Sequence, residues 1–153
     1  MSQRLYATLA EWLSREAVVL ATVFDTRGAV PRHRGAQMLI AATRTMGSVG
    51  GGRLEAKVIA EARDLRARGE RVAQVAIDLT GREGAQGICG GSMQVMLRCW
   101  QGERDAVRAA TLSATLSSGR PVTLDADDLG HDRTHTLQPM PRLLIIGAGH
   151  CGL

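Results

Sequence analysis

The stretch Gly47-Ser-Val-Gly50-Gly51-Gly52, running straight into a helical stripe of Leu54, Val58, Ile59, Ala62 and Leu65, constrains this chain more than any other feature. Apolar residues at three- and four-residue spacing make one face of a helix over Arg53 to Arg68, and Gly69 just past the last turn is a stop signal. Three adjacent glycines ahead of a helix cost entropy on folding, and they let a backbone approach its neighbour or a ligand closely. Ala36 to Ala42 before the loop reads as a strand. Strand, glycine loop and helix in that order call for an α/β layer structure.

The rest of the chain extends that reading. Leu5, Leu9, Trp12 and Leu13 fall on one face of a first helix that Ser2 would cap. Ala17 to Phe24 is apolar and β-branched enough for a buried strand, and Asp25 to Gly35 reads as a polar loop. Val72 to Leu79 and Met93 to Trp100 alternate as strands around a second glycine-rich loop, Thr80 to Gly91. Glu103 to Ser118 is a further helix ended by Gly119, and Pro121 to Leu124 a short strand. The expected fold is α/β, a mixed sheet with flanking helices, over residues 1–124. Asp125 to Gln138, with four aspartates, two histidines and little apolar periodicity, reads as a solvated loop or linker, placing a linker at 125–141.

Residues 142–153 read as the start of a second domain. Leu143 to Ile146 followed by Gly147-Ala-Gly149-His-Cys-Gly152 has the form of a buried parallel strand entering G-x-G-x-x-G, the opening of a Rossmann-type fold in which a helix N-terminus meets a pyrophosphate. The sequence stops before the helix, the next strand and the ribose-binding acid, so Gly147, Gly149 and Gly152 form an incomplete nucleotide site. NAD(P) is expected only in a longer parent. The bland alternative is a tail that packs as an ordinary edge strand. His150 and Cys151 are an adjacent pair capable of binding metal, but two ligands alone do not make a site.

Composition excludes several classes. A hydrophobic content of 44% with 22% charged residues is globular, and the longest uncharged apolar stretch is far too short for a bilayer span. The N-terminus lacks the pattern of an export signal, which points to the cytoplasm. Cys89, Cys99 and Cys151 are odd in number and widely spaced, so free thiols are expected. The net charge of +4 is carried almost wholly by arginine, suited to gripping phosphate or carboxylate. The arginines are scattered and only four aromatics are present, which argues against nucleic acid as a partner.

Three loops carry candidate chemistry. At Gly50-Gly51-Gly52-Arg53, unpaired N–H groups and the helix dipole favour an anion, and Arg53 adds a charged fork. The alternative there is a tight turn with Glu55 as a capping acid. In Gly84-Ala-Gln-Gly87-Ile-Cys89-Gly90-Gly91, a thiol sits among residues too small to cover it, which suits a soft metal or a sulfur-bearing cofactor. The alternative is a small buried filler, the role assigned to Cys99. Gly28-Ala-Val-Pro31-Arg32-His33-Arg34-Gly35 would clamp a phosphate or pterin-like anion, or else is a solvated basic loop.

Taken together and in this order, GAVPRHRGAQMLI, GSVGGGRLEAKVIAEA and GICGGSMQV resemble the XdhC/CoxI family, the accessory proteins of xanthine dehydrogenase and related molybdenum hydroxylases. The similarity spans about Ala17 to Trp100, and LLIIGAGHCG resembles the start of the family's C-terminal Rossmann domain. Many relatives carry two adjacent cysteines in the second glycine loop, where this chain has Ile88 before Cys89. The resemblance implies a chaperone rather than an enzyme. Such a protein binds molybdenum cofactor (molybdopterin) transiently, protects it while it gains its terminal sulfur, and delivers it to the apo-hydroxylase. Its partners would be a xanthine dehydrogenase-type hydroxylase and a cysteine desulfurase-type sulfur donor, with homo-oligomerisation left open.

On that resemblance, Gly50, Gly51, Gly52 and Arg53 would approach the cofactor's phosphate, and Arg32 would neutralise further charge. Cys89, left accessible by Gly90 and Gly91, would face the dithiolene and molybdenum. Two other readings compete. One is an NAD(P)-dependent oxidoreductase, supported by GAGHCG alone and by no convincing acid–base pair. The other is a pure interaction domain, which would bind neither ligand.

Overall fold

The apolar run Val18 to Val23 is buried on both faces, so the strand that holds it must be sandwiched between two layers. The computed structural model, which describes residues 2–147, has that form. This strand, β1 (Val18–Arg27), is central in a five-stranded sheet with β2 (Gln37–Ile40), β3 (Thr45–Gly47), β4 (Val72–Asp78) and β5 (Ser92–Trp100), in the order β3-β2-β1-β5-β4. One face packs on α2 (Gly52–Arg68), whose Leu54, Val58, Ala62 and Leu65 meet Val19, Ala21, Val23 and Val95. The other face packs on α1 (Ser2–Leu13) and α3 (Gly102–Ser117), with Leu9, Trp12, Leu112 and Leu116 against Val18, Leu20, Leu39 and Trp100. The odd and even residues of β1 thus serve two separate cores, as the two-residue period of a strand requires.

Every strand pair in the sheet is antiparallel, which corrects the expectation of a mixed sheet. The strand–helix–strand unit does link strands of like direction, because α2 carries the chain from one edge strand, β3, to the other, β4. Three alternating strands fill the space between them, so the parallel pair never touches. Strand β3, three residues long, left no periodicity to read. Strand β1 continues to Arg27 through a bulge between Val23 and Asp25, into what the sequence suggested was loop. At the end of α2, Gly69 takes the left-handed conformation (φ 68°) and its N–H reaches back to the last carbonyls, as its position predicted.

The segment after residue 124 departs furthest from expectation. Asp125 caps α4 (Ala126–Leu129) in a reciprocal box with Asp128, and β7 (His135–Leu137) pairs with β6 (Val122–Leu124). Leu129 and Leu137 are buried in the α1/α3 core, so this stretch is folded onto the domain instead of forming a solvated linker. One helical turn and three strand residues are too short to show a period, and of the aspartates that looked like solvated polarity, Asp125 is a cap and Asp127 and Asp128 are ion-pair partners, while Asp132 is exposed.

Leu143 to Ile146 also differ from the sequence reading. They form no strand, buried or at an edge, and are 62–87% exposed. A parallel strand of this kind is stable only with neighbours on its sides and faces, and none is present among the described residues. Gly147 is described, with φ 132°, and is exposed. Gly149, His150, Cys151 and Gly152 lie outside the described residues.

Candidate functional site

The three loops singled out by their sequence meet at one end of the sheet. The loop after β1 bridges the other two. An added Cβ on Gly28 would meet the Cα of Gly91 at 3.1 Å, and one on Gly50 would meet Pro31 at 2.9 Å. Gly28 and Pro31 are only three Cα–Cα steps apart, at most about 11 Å of extended chain. The triple-glycine bend and the cysteine loop are therefore neighbours across a short span. Gly50 and Gly91, expected among the cofactor contacts, are occupied in making these junctions: Gly91 is buried against the carbonyls of Arg27 and Ala29.

At the start of α2, a resident acid already answers part of the helix's positive end. Glu55 Oε2 accepts hydrogen bonds from the Gly51 N–H and the Ser48 hydroxyl, each 2.8 Å, and the Gly50 N–H donates to Ser48 Oγ at 3.1 Å. The capping role weighed for Glu55 is thus real, and a phosphate has no free N–H at Gly50 or Gly51. The amides of Gly52, Arg53 and Leu54 have no side-chain acceptor among the described residues, as expected for the first turn of a helix. Added Cβ atoms on Gly51 and Gly52 meet nothing within 4 Å, so the outer side of the bend faces open space.

The exposed guanidinium of Arg53 lines a cavity of about 450 Å³ together with Gly81 to Gln86, the first half of the loop that carries Cys89. Arg82 adds a second guanidinium and Glu83 a carboxylate. Sequence reasoning passed over Arg82, although its place between Gly81 and Gly84 in a loop already singled out was a usable signal. The loop is pinned by its own backbone: the Gly81 N–H donates to the Gly87 carbonyl at 3.0 Å and the Gly90 N–H to the Leu79 carbonyl at 2.7 Å. At its tip Ile88 is 89% exposed and the Cys89 thiol is exposed and free, and an added Cβ on Gly90 meets nothing within 4 Å.

Cys99, by contrast, lies in the α2-side core, where burial pushes its thiol up despite the nearby arginines. Arg32 is exposed, with its guanidinium donating only to the adjacent Pro31 carbonyl. The described residues contain no group of three or more His, Cys, Asp and Glu able to hold a metal ion. None of their helices is long and apolar enough to cross a membrane.

The class defined by this geometry is a three-layer α/β domain that presents two glycine turns, an exposed thiol and two arginines at one end of an antiparallel sheet. Comparison with known proteins carries that further: residues 12–77 match the XdhC and CoxI family, so the resemblance read from the glycine loops holds for that stretch, which ends before Cys89. The chain is 40% identical over 82 residues to the uncharacterized protein YqeB of Escherichia coli (strain K12), covering 51% of this chain and 15% of that protein. It also overlays a crystal structure described as a xanthine dehydrogenase from Bacillus halodurans, with a TM-score of 0.69 and 25% identity over 79% of this chain and 36% of that one. The chain therefore spans well under half the length of either relative.

Proposed function

We propose that this domain is the cofactor-facing part of an accessory protein that receives molybdenum cofactor and passes it to a xanthine dehydrogenase-type hydroxylase. The observation that carries the reading is the convergence of an exposed Cys89, an arginine-lined cavity and the open side of a glycine bend at one end of a sheet, within a chain whose residues 12–77 match the XdhC and CoxI family. The fit to such a guest is chemical: amides and two guanidiniums suit a phosphate, and an accessible thiol suits a soft sulfur-and-metal end. The cavity beside Arg53, at about 450 Å³, lies within the range of roughly 300–1,000 Å³ typical of small-molecule sites.

The roles follow from placement. Arg53 and Arg82, with the free amides of Gly52 and Arg53, hold the anionic end. Glu55 fixes the bend and keeps the phosphate off the Gly51 amide. Cys89, with Gly90 leaving its approach open, faces the other end, while Arg32 contributes long-range positive charge. When bound, the cofactor supplies a dithiolene-held molybdenum centre; the domain's own work is to bind it, orient it and shield it. A sulfur donor of the cysteine desulfurase type and the recipient hydroxylase complete the proposed setting, in the cytoplasm.

The test is retention of molybdopterin by protein made in a host that synthesises it, with pterin fluorescence and molybdenum content as readouts. Cys89→Ser is expected to lower retention at least tenfold, Cys99→Ser to leave it within twofold once folded protein is normalised. Equal loss from both, or retention unchanged in Cys89→Ser, refutes the assignment.

A further inference from the structure

On the α1/α3 side of the sheet, at the same end of β1, the segment between α4 and β7 closes a second pocket that the glycine-loop site does not use. Its cavity is about 190 Å³, and its polar lining is Arg34, Arg133, His131, His135, Thr22 and Thr134. That volume is below the roughly 300 Å³ at which small-molecule sites begin, so it suits a small ion or head group and not a whole cofactor.

Four features of the pocket point to an anion. The Arg133 backbone N–H donates to His131 Nδ1 at 3.1 Å, so Nδ1 holds the lone pair and the neutral ring carries its hydrogen on Nε2. His131 Nε2 is enclosed and has no hydrogen-bond partner, leaving a donor without an acceptor. The Arg34 guanidinium makes no hydrogen bond or ion pair among the described residues, and the Arg133 guanidinium is anchored by the Phe24 carbonyl at 2.9 Å with the Asp25 carboxylate only at 3.9 Å. Finally, His135 lies so close to Gly35 that an added Cβ there would meet its ring at 2.5 Å, so glycine at 35 is what admits the imidazole.

Donors therefore face the cavity from three directions: the loop after β1, the segment after α4, and β7. Two guanidiniums and an orphaned N–H leave it rich in positive charge and short of acceptors. A divalent cation is disfavoured by the same arginines. We propose that the pocket formed by Arg34, Arg133, His131 and His135 binds a small tetrahedral oxyanion, either a free inorganic ion or the phosphate of a phosphomonoester.

Burial lowers the basicity of both imidazoles, and Arg34 acts in the same direction. Asp132 opposes this at His131, and the charged groups beyond it, Arg71, Arg98 and Asp127, line the adjoining cavity that shares the His131 ring. Both rings are thus neutral at pH 7.5; an anion in the pocket favours the protonated form of His135, whereas a proton added to His131 would go to Nδ1 and displace the Arg133 N–H. Linkage then requires oxyanion affinity to rise as pH falls through the imidazole range.

Sulfate is a suitable probe because its charge is constant from pH 5 to 8. Titration of the full chain, followed by the imidazole nitrogen resonances of His131 and His135, is expected to saturate with affinity at least tenfold higher at pH 5.5 than at pH 7.5. Arg34→Gln, which removes a side chain without partners, is expected to weaken binding at least tenfold at pH 5.5 with an unchanged melting temperature. Phenyl phosphate at least tenfold tighter than sulfate identifies a phosphomonoester as the occupant, whereas equal affinity identifies the free ion. The proposal is overturned if neither resonance saturates, or if Arg34→Gln binds sulfate as well as the parent, which would mean an adventitious ion only.

Discussion

Replacing Asp105 by alanine tests how the α1/α3 side of the domain is held together. Arg98 projects from β5 into that layer with its side chain 2% exposed, and Asp105 grips it with both carboxylate oxygens, at 2.6 and 2.9 Å. The same carboxylate accepts the Gln101 N–H at 2.8 Å, fixing the entry to α3, while Arg98 Nε donates to the Asp127 carbonyl at 2.9 Å and so ties in α4. Removing the acid leaves a guanidinium buried without its counter-charge, a loss that costs about 3–5 kcal/mol in comparable buried pairs. For a domain of this size, each kcal/mol lowers the melting temperature by about 2–4 °C, so a fall of roughly 10 °C is expected.

Urea and thermal unfolding by circular dichroism measure that change directly. Asp105→Asn, which keeps the shape and loses the charge, should fall between the two. The sign with pH follows from the native state. Burial pushes the Asp105 carboxyl up, but the hydrogen bonds from Arg98 and Gln101 outweigh it and hold the group below its ordinary value. Its contribution is therefore complete above the ordinary carboxylate range, near pH 4, and is lost as pH falls further toward the lowered native value. A loss under about 1 kcal/mol for Asp105→Ala, or an acid sensitivity equal in parent and variant, would show that the pair does not act as a buried clamp.

Two further substitutions separate the glycines that join loops from those that face outward. Gly91→Ala drives a methyl into the Arg27 and Ala29 carbonyls and should destabilise by about 3 kcal/mol, the upper end of overpacking, whereas Gly51→Ala meets no atom and should cost only the backbone strain of a positive φ with extended ψ, about 1–3 kcal/mol; the urea midpoint should fall further for Gly91→Ala. Glu55→Gln removes the negative charge at the start of α2, so phosphate affinity at Arg53 should rise about threefold to tenfold, measured by calorimetry; unchanged affinity would place the anion elsewhere.

Much of the architecture was written in patterns long enough to read. The stripe from Leu54 to Leu65 with Gly69 behind it, and the apolar run of β1, each correspond to an element whose burial decides its position. What escaped were elements shorter than a period: Thr45–Gly47, the single turn Ala126–Leu129 and His135–Leu137. Sheet direction escaped too, because a helix crossing between the two edge strands leaves the same local trace whether three strands or none lie between them. At the site, Cys89 was legible only as a choice between an accessible thiol and a small buried filler, and the structure leaves it exposed. Glu55 was legible only as a choice between two roles, since spacing places the acid at the helix start without saying which amide it accepts from. The His131–His135 pocket was invisible because it needs the Gly35 contact, made 100 residues away in sequence.

The central claim is that the Cys89 thiol faces the guest held beside Arg53. Its most direct measurement is the rate of alkylation of each cysteine by iodoacetamide, read by peptide mass spectrometry, in protein with and without bound molybdopterin. The account predicts fast labelling of Cys89 in the free protein and at least tenfold protection when loaded, with Cys99 slow in both. Cys89 labelling at the same rate in the loaded protein would contradict it.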